Sequence, residues 1–368
     1  MLDLTPLAAD LIRRIEAAGP MSVSDYMAAC LSDPKHGYYT RNDPLGRTGD
    51  FITAPEISQI FGELIGIWCF SVWQEMGSPS RFILAELGPG RGTLMADILR
   101  AVRLRPAFSD AAVVALVEIN ENLKVAQQDT LRGLANPIWV DRSEALPDGP
   151  MIVVANEFFD ALPVRQFVRI DNGWAERMVG LGQSGDLVFG LRPTDGNPST
   201  TVAPASEQGS TFPVGAVVEI RPTAETIARQ LAVRIADTGG ASLVIDYGHS
   251  APAFGDTLQA IRQHQYDDPL AHPGMADITA HVDFDALARA ATEGGAEARP
   301  ITNQASFLNA MGITIRAELL SNGQAPPGRA EIGSAVERLT GPDQMGYLFK
   351  VLAFGSRQVR LPGFDSVA

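Results

Sequence analysis

From Phe82 onward the chain repeats one pattern. A short run of apolar residues meets a polar or glycine-rich stop, and apolar residues then return every three or four positions. A run that is apolar throughout reads as a strand buried on both faces, and the three-to-four spacing reads as a helix packed over it. The strands expected on this basis are Phe82–Leu87, Ala112–Glu118, Pro137–Val140, Met151–Ala155 and Ala241–Asp246. Helices over Thr93–Arg103, Asn120–Leu134 and Pro222–Ala236 are expected between them. Strands alternating with helices predict a mostly parallel sheet with right-handed crossovers. Gly346–Phe354 reads as a late strand, antiparallel at the sheet edge.

The flanks break the pattern. Residues 1–80 read as a helical extension. Leu7, Leu11, Ile12 and Ile15 share one helical face, Ser22 to Asp25 offer caps for a helix through Leu31, and helical periodicity resumes from Thr53 to Met76 after a Gly/Pro/Asn-rich stretch ending at Asp50. Thr53 followed by Glu56 has capping-box spacing, and this loop is equally suited to cover a ligand. Between residues 164 and 214 short alternating segments, Gln166–Ile170, Trp174–Val179 and Leu187–Leu191, predict a β-rich insertion. The catalytic-type core is then 81–163 with 215–300, and 301–368 supplies C-terminal helices and the edge strand.

Composition narrows the chemistry. The 368 residues carry a formal net charge of -14, which repels phosphate backbones and argues against a nucleic-acid partner while favouring a cationic one. Cys30 and Cys69 are the whole cysteine complement, so neither a disulfide scaffold nor a cysteine-built zinc module is expected. His36, His249, His264, His272 and His281 show no H-E-x-x-H spacing, and no protein-bound catalytic metal is expected. There is no G-x-S-x-G elbow. No apolar run reaches spanning length and the N-terminus has no signal-peptide character, so no membrane insertion and a cytoplasmic location are expected.

The sharpest local feature is Glu86-Leu-Gly88-Pro-Gly90-Arg-Gly92-Thr93, set between the first buried strand and its helix. Glycine at such a turn admits positive φ and lets a ligand lie against the main chain, while the helix opening at Thr93 offers free N–H groups. The P-loop lysine is missing, and Thr93 stands where a dinucleotide fingerprint has its third glycine. An acid followed by G-x-G-x-G fits a cationic ligand better than a pyrophosphate: Glu86 can accept from an ammonium group. Glu118, closing the second strand, can hold two ribose hydroxyls. Asn156, Glu157 and Asp160 follow the fourth strand, on the carboxyl edge where open α/β sheets bind ligands. Asp277 and His281 are spaced so that the acid can orient the imidazole as proton acceptor or substrate partner, with Asp283 as a helix cap.

The acid-plus-glycine loop with Glu118 resembles the class I, Rossmann-like, S-adenosylmethionine-dependent methyltransferases. Four longer blocks are similar to the MidA-like family within that class: Gly49–Gln59, Asn156–Pro163, Val244–His249 and Ala276–Phe284. This resemblance implies S-adenosyl-L-methionine as cofactor, held by Glu86, Gly88, Gly90, Gly92, Thr93, Glu118 and Asn156, with Thr53 from the covering loop. It also implies N-methylation of an arginine on a protein, with a core subunit of respiratory complex I or its bacterial counterpart as the partner. Glu157 and Asp160 then become the pair that grips the guanidinium, with Asp277 and His281 beside them in the catalytic set. The residues themselves leave open a methyltransferase acting on a small molecule or another side chain, and a non-catalytic assembly factor retaining the fold. Oligomeric state and methyl count are not written in the chain.

Overall fold

The computed structural model describes residues 4–41, 53–195, 198, 212–251 and 254–364. The chain forms two compact units. One comprises Ile52–Phe159, Glu225–Ser250 and Phe284–Ala368; the other comprises Met1–Phe51, Asp160–Ala224 and Ala251–Asp283. The division passes through the N-terminal extension near residue 51, and the second unit gathers residues 251–283 with the insertion.

The first unit is built on a sheet ordered Glu297–Ala298, Phe349–Gly355, Gly240–His249, Met151–Asn156, Phe82–Leu87, Ala112–Val117, Ile138–Val140. The last five strands run parallel to one another. Phe82–Leu87 and Met151–Asn156 are buried along their whole length, which is why their sequences are apolar without alternation. Phe349–Gly355 pairs antiparallel with Gly240–His249, as its position in the chain suggests. It is not the edge, however, because Glu297–Ala298 and Thr302–Asn303 both pair with its other side. The strand also starts at Phe349 rather than Gly346. Residues Met345–Leu348 form a helical turn, where a Cβ on Gly346 would sit 2.2 Å from the Thr340 carbonyl oxygen.

The expected helix from Thr53 to Met76 is two helices, Ala54–Ile57 and Gln59–Glu75. Ser58 breaks them: it is extended at φ -161 and ψ 136, and its hydroxyl caps the second helix by accepting from the Ile60 N–H. The Thr53–Glu56 capping box is not formed. Thr53 has the cap's backbone conformation but its side chain makes no cap bond. Gln59–Glu75 packs against Thr93–Val102 at a crossing so close that a Cβ on Gly62 would lie 2.5 Å from the Asp97 Cβ. The core of this unit joins aliphatic strand residues to an aromatic group of Phe70, Trp73, Phe82 and Phe108.

The second unit contains the β-rich insertion. Its sheet runs Met21–Ser22, Gly173–Leu181, Arg165–Ile170, Val217–Ile220, with Leu187–Thr194 also paired to Gly173–Leu181. A smaller antiparallel sheet joins Gln265–Asp267, Gln259–Arg262 and Asp277–Thr279. Helices Pro6–Ala18 and Val23–Ser32 bury Leu7, Leu11, Tyr26 and Met27 against Val164 and Ile278. Ser22 caps the second of these by accepting from the Asp25 N–H, as its position predicts.

Candidate functional site

In the first unit the glycine loop leaves Phe82–Leu87 and enters the helix Thr93–Val102. Gly88, Gly90 and Gly92 all hold positive φ, at 62, 53 and 80°, and Gly92 is the left-handed cap of that helix. A side chain at any of the three would be strained, and at Gly88 a Cβ would press on the Phe158 ring at 3.0 Å. The bare main chain is therefore a requirement of the turn itself.

Glu86 is buried at the base of this loop, and its Oε2 has no hydrogen-bond partner. Burial pushes its carboxyl up to about 8, opposed by the Met95 N–H, and burial, helped by this nearby acid, raises the Cys69 thiol. A buried carboxylate oxygen without a donor is costly. An ammonium group would satisfy it and restore its charge. The Asn156 Oδ1 is a second buried, unpartnered acceptor, at the end of the neighbouring parallel strand. Glu118 is also buried, and burial raises its carboxyl against the N–H groups of Asn120 and Gln127. Two orphaned acceptors, a cradle closed to side chains and an acid after the second strand suit a ligand with an ammonium group and a diol.

Glu157 follows Asn156 in an unusual backbone state. Its φ is +50°, in the left-handed region that a residue with a Cβ seldom occupies. The turn is held by three bonds. The Glu157 N–H donates to the Ile245 carbonyl at 2.9 Å. The Phe159 N–H donates to Asp246 Oδ2 at 3.0 Å, and the Tyr247 N–H donates to the other oxygen of the same buried carboxylate. The Glu157 Oε1 then accepts from the Ala54 N–H at 3.2 Å and from Asn156 Nδ2 at 3.1 Å. Strain retained by surrounding bonds is a mark of functional turns. Thr53 lies one residue before that Ala54 donor.

Asp160, Asp277 and His281 lie in the second unit. Asp160 and Asp277 are buried. The Tyr39 hydroxyl donates to the Asp277 carboxylate, at 3.1 and 3.0 Å from its two oxygens. Burial, then Asp277, then Asp160 hold the Tyr39 phenol well above its ordinary value, so it stays a donor. The Asp160 carbonyl accepts from the Ala280 N–H at 3.0 Å, tying its segment to that of His281. The His281 N–H donates to Thr257 Oγ1 at 3.0 Å, and that hydroxyl donates to Glu219 Oε2 at 2.6 Å. Glu219 in turn accepts from Arg221 and Gln166, all three buried. Asp283 directly precedes the helix Phe284–Glu293.

Three residues of these arrangements are absent from the sequence-based set: Tyr39, Gln127 and Asp246. Gln127 had a readable signal, since it occupies the Leu123–Leu131 stripe where an apolar residue is expected. Asp246 had one too, as the single acid closing an otherwise apolar strand. Tyr39 had none, because its partners lie more than a hundred residues away. Among the described residues no group of three or more His, Cys, Asp or Glu could hold a metal ion, and no helix is long and apolar enough to cross a membrane.

Comparison with known proteins bears on this arrangement. Residues 64–302 match the profile of a family of S-adenosyl-L-methionine-dependent methyltransferases. The mitochondrial protein arginine methyltransferase NDUFAF7 of Danio rerio is 39% identical over 364 residues, covering 92% of this chain and 84% of that protein. Its Homo sapiens counterpart is 39% identical over 386 residues, covering 98% and 85%. A crystal structure of a Burkholderia thailandensis protein bound to S-adenosyl-homocysteine superposes with a TM-score of 0.84 at 31% identity, covering 98% of this chain and 94% of that one.

Proposed function

As the chain belongs to the family of S-adenosyl-L-methionine-dependent methyltransferases, we propose that it is a protein arginine N-methyltransferase. We take its substrate to be a core subunit of respiratory complex I or its bacterial counterpart, and its place of action to be the cytoplasm. The relatives named as protein arginine methyltransferases match it over nearly its whole length. The observation that carries the reading is the strained backbone at Glu157, whose carboxylate is fixed by Ala54 and Asn156 and whose neighbour Phe158 packs on Gly88 of the glycine loop.

When bound, S-adenosyl-L-methionine supplies an electrophilic methyl group on a sulfonium. The chain's part is to hold and aim. Glu86 accepts from the ammonium of the methionine portion, Glu118 clasps the ribose, and the loop Gly88–Gly92 offers its main chain. A guanidinium is a poor nucleophile, because its charge is delocalised and its pKa exceeds ~12. Carboxylates that grip it draw charge away from the attacking nitrogen and set its direction. Glu157 is assigned this work: two donors on one oxygen fix how its carboxylate points. Asp160, in the second unit, is that unit's candidate acid for contact with the substrate. Asp277, held by Tyr39, and His281 are assigned to accept the proton that leaves the substrate nitrogen. The net charge of -14 suits a cationic target.

The test is incubation of the purified protein with isotopically labelled donor and a respiratory-membrane extract, followed by mass spectrometry. Label on an arginine of a complex I subunit is expected, and Glu157→Gln should lower incorporation roughly a hundredfold. Label confined to a small molecule or to another residue type would overturn the assignment of substrate.

A further inference from the structure

A carboxylate that clasps a ribose must be aimed, and here the aiming is done by an amide. Glu118 Oε1 accepts from the Asn120 N–H at 2.8 Å, and Oε2 accepts from Gln127 Nε2 at 3.1 Å. The same Gln127 Nε2 donates to the Gly90 carbonyl oxygen at 2.7 Å. One NH2 group thus joins the acid after the second strand to the middle of the glycine loop. Gln127 is fully buried on the helix Glu121–Thr130, so no water competes for these bonds. The loop also touches it directly, since a Cβ on Gly92 would lie 3.4 Å from the Gln127 Cα.

The amide's orientation is settled by a third contact. Trp139 Nε1 donates to Gln127 Oε1 at 2.8 Å. An indole N–H can only donate, so the atom facing it must be the carbonyl oxygen, and the NH2 must face Glu118 and Gly90. Trp139 stands on the short strand Ile138–Val140, next to Ala112–Val117 in the sheet. A neutral donor suits this place. It supports one lone pair of each acceptor, whereas a cation would engage the carboxylate and compete with a diol for it.

We propose that Gln127, fixed by Trp139, is the positioning residue of the donor site: it sets the ribose-binding carboxylate of Glu118 and the main chain of the glycine loop in register, so that both meet the nucleoside together. This rests on the donor reading of the loop and adds to it a part that neither acid nor glycines perform. Gln127 need not touch the donor.

Titration calorimetry of the full chain with S-adenosyl-homocysteine tests it. Gln127→Leu, which keeps volume and removes the donor, should weaken binding roughly tenfold. In a Glu118→Gln background the same change should weaken binding by less than about threefold, because the partner it aims is already altered. Trp139→Phe, which frees the amide to turn, should weaken binding about threefold. Gln127→Leu within twofold of the wild type, or an equal factor in both backgrounds, would overturn the inference, the latter marking Gln127 as packing alone. Should Gln127→Leu fail to fold, Trp139→Phe decides: unchanged affinity overturns the inference. A wild type that does not bind S-adenosyl-homocysteine would remove the donor reading and this inference with it; a wild type that binds beside indifferent variants removes this inference alone.

Discussion

The two units build their functional groups in opposite ways. In the first, Glu86 to Thr93 is one continuous segment from strand end to helix start, Glu118 directly follows one neighbouring strand and Asn156 closes the other. In the second, Tyr39, Asp160 and Asp277 come from three distant segments and meet only through the fold. A turn that cradles a ligand with its main chain demands particular residues at fixed spacing, whatever surrounds it. A cluster of side chains from separate segments demands only that the segments arrive. The first arrangement is fixed by local backbone geometry; the second depends on tertiary packing.

The largest effect expected of this contrast is electrostatic. Burial raises the Glu86 carboxyl from 4.5 to about 8 in the ligand-free protein. Below the unfolded value both states are protonated and no stability is lost. As pH climbs from about 4.5 toward 8 the unfolded chain ionises while the folded one does not, so stability falls, by at most about 1.4 kcal/mol for each pH unit in that window. Above about 8 the loss levels off. Urea unfolding of ligand-free Glu86→Gln should lose this slope and exceed the wild type near pH 8, while its affinity for the donor falls. A wild-type slope unchanged by the substitution would show that Glu86 is not the acid responsible.

Next comes the loop itself. Gly90 holds φ at 53°, a state that a β-branched residue occupies only under strain. Gly90→Val should weaken binding of S-adenosyl-homocysteine roughly a hundredfold. Hydrogen exchange of the second unit's strands Gly173–Leu181 and Arg165–Ile170 should remain as in the wild type. Loss of protection there would show that the substitution unfolds the chain instead of deforming the loop alone.

The acid cluster of the second unit should respond less, and differently. Tyr39→Phe removes one donor to the Asp277 carboxylate. The expected result is a five- to tenfold fall in kcat at saturating donor, by an order-of-magnitude estimate for one lost bond to a charged group, with donor affinity unchanged. A fall in donor affinity instead of kcat would assign Tyr39 to the wrong half of the chemistry.

How much of this was legible in the chain follows the same divide. Phe82–Leu87 and Met151–Asn156 could be read because they lie buried along their whole length and so are almost wholly apolar, whereas Ile138–Val140 is partly exposed and was legible only from its place in the alternation of strands and helices. The glycine loop could be read because positive φ at three alternate positions leaves few alternatives to glycine. The antiparallel strand was legible as a strand, but its place inside the sheet was not, because the two-residue segments that cover it carry no pattern. The break at Ser58 hid within helical periodicity, since a cap needs only one residue. Gln127 was visible only as a polar intruder on an apolar stripe, and the Tyr39–Asp277 contact spans 238 positions that no local rule connects.

The smallest effect concerns Thr53, whose two readings the structure pulls apart. A threonine that capped Ala54–Ile57 through its hydroxyl would cost about 1 kcal/mol on replacement by alanine. Here the hydroxyl makes no such bond, and the cap that does form on the next helix belongs to Ser58. Thr53→Ala should therefore leave the unfolding midpoint in urea where it is, whereas Ser58→Ala should lower it. Thr53 also precedes the Ala54 N–H that fixes Glu157. Its hydroxyl is not used in capping, and it stands on the segment that anchors the strained turn, where the proposed donor contact would act on it. Affinity for S-adenosyl-homocysteine should fall by about two- to threefold in Thr53→Ala, in line with one neutral hydrogen bond, and stay unchanged in Ser58→Ala. The reverse pattern, a destabilised Thr53→Ala with full affinity, would return Thr53 to the helix end and leave the donor site to the loop and its two acids.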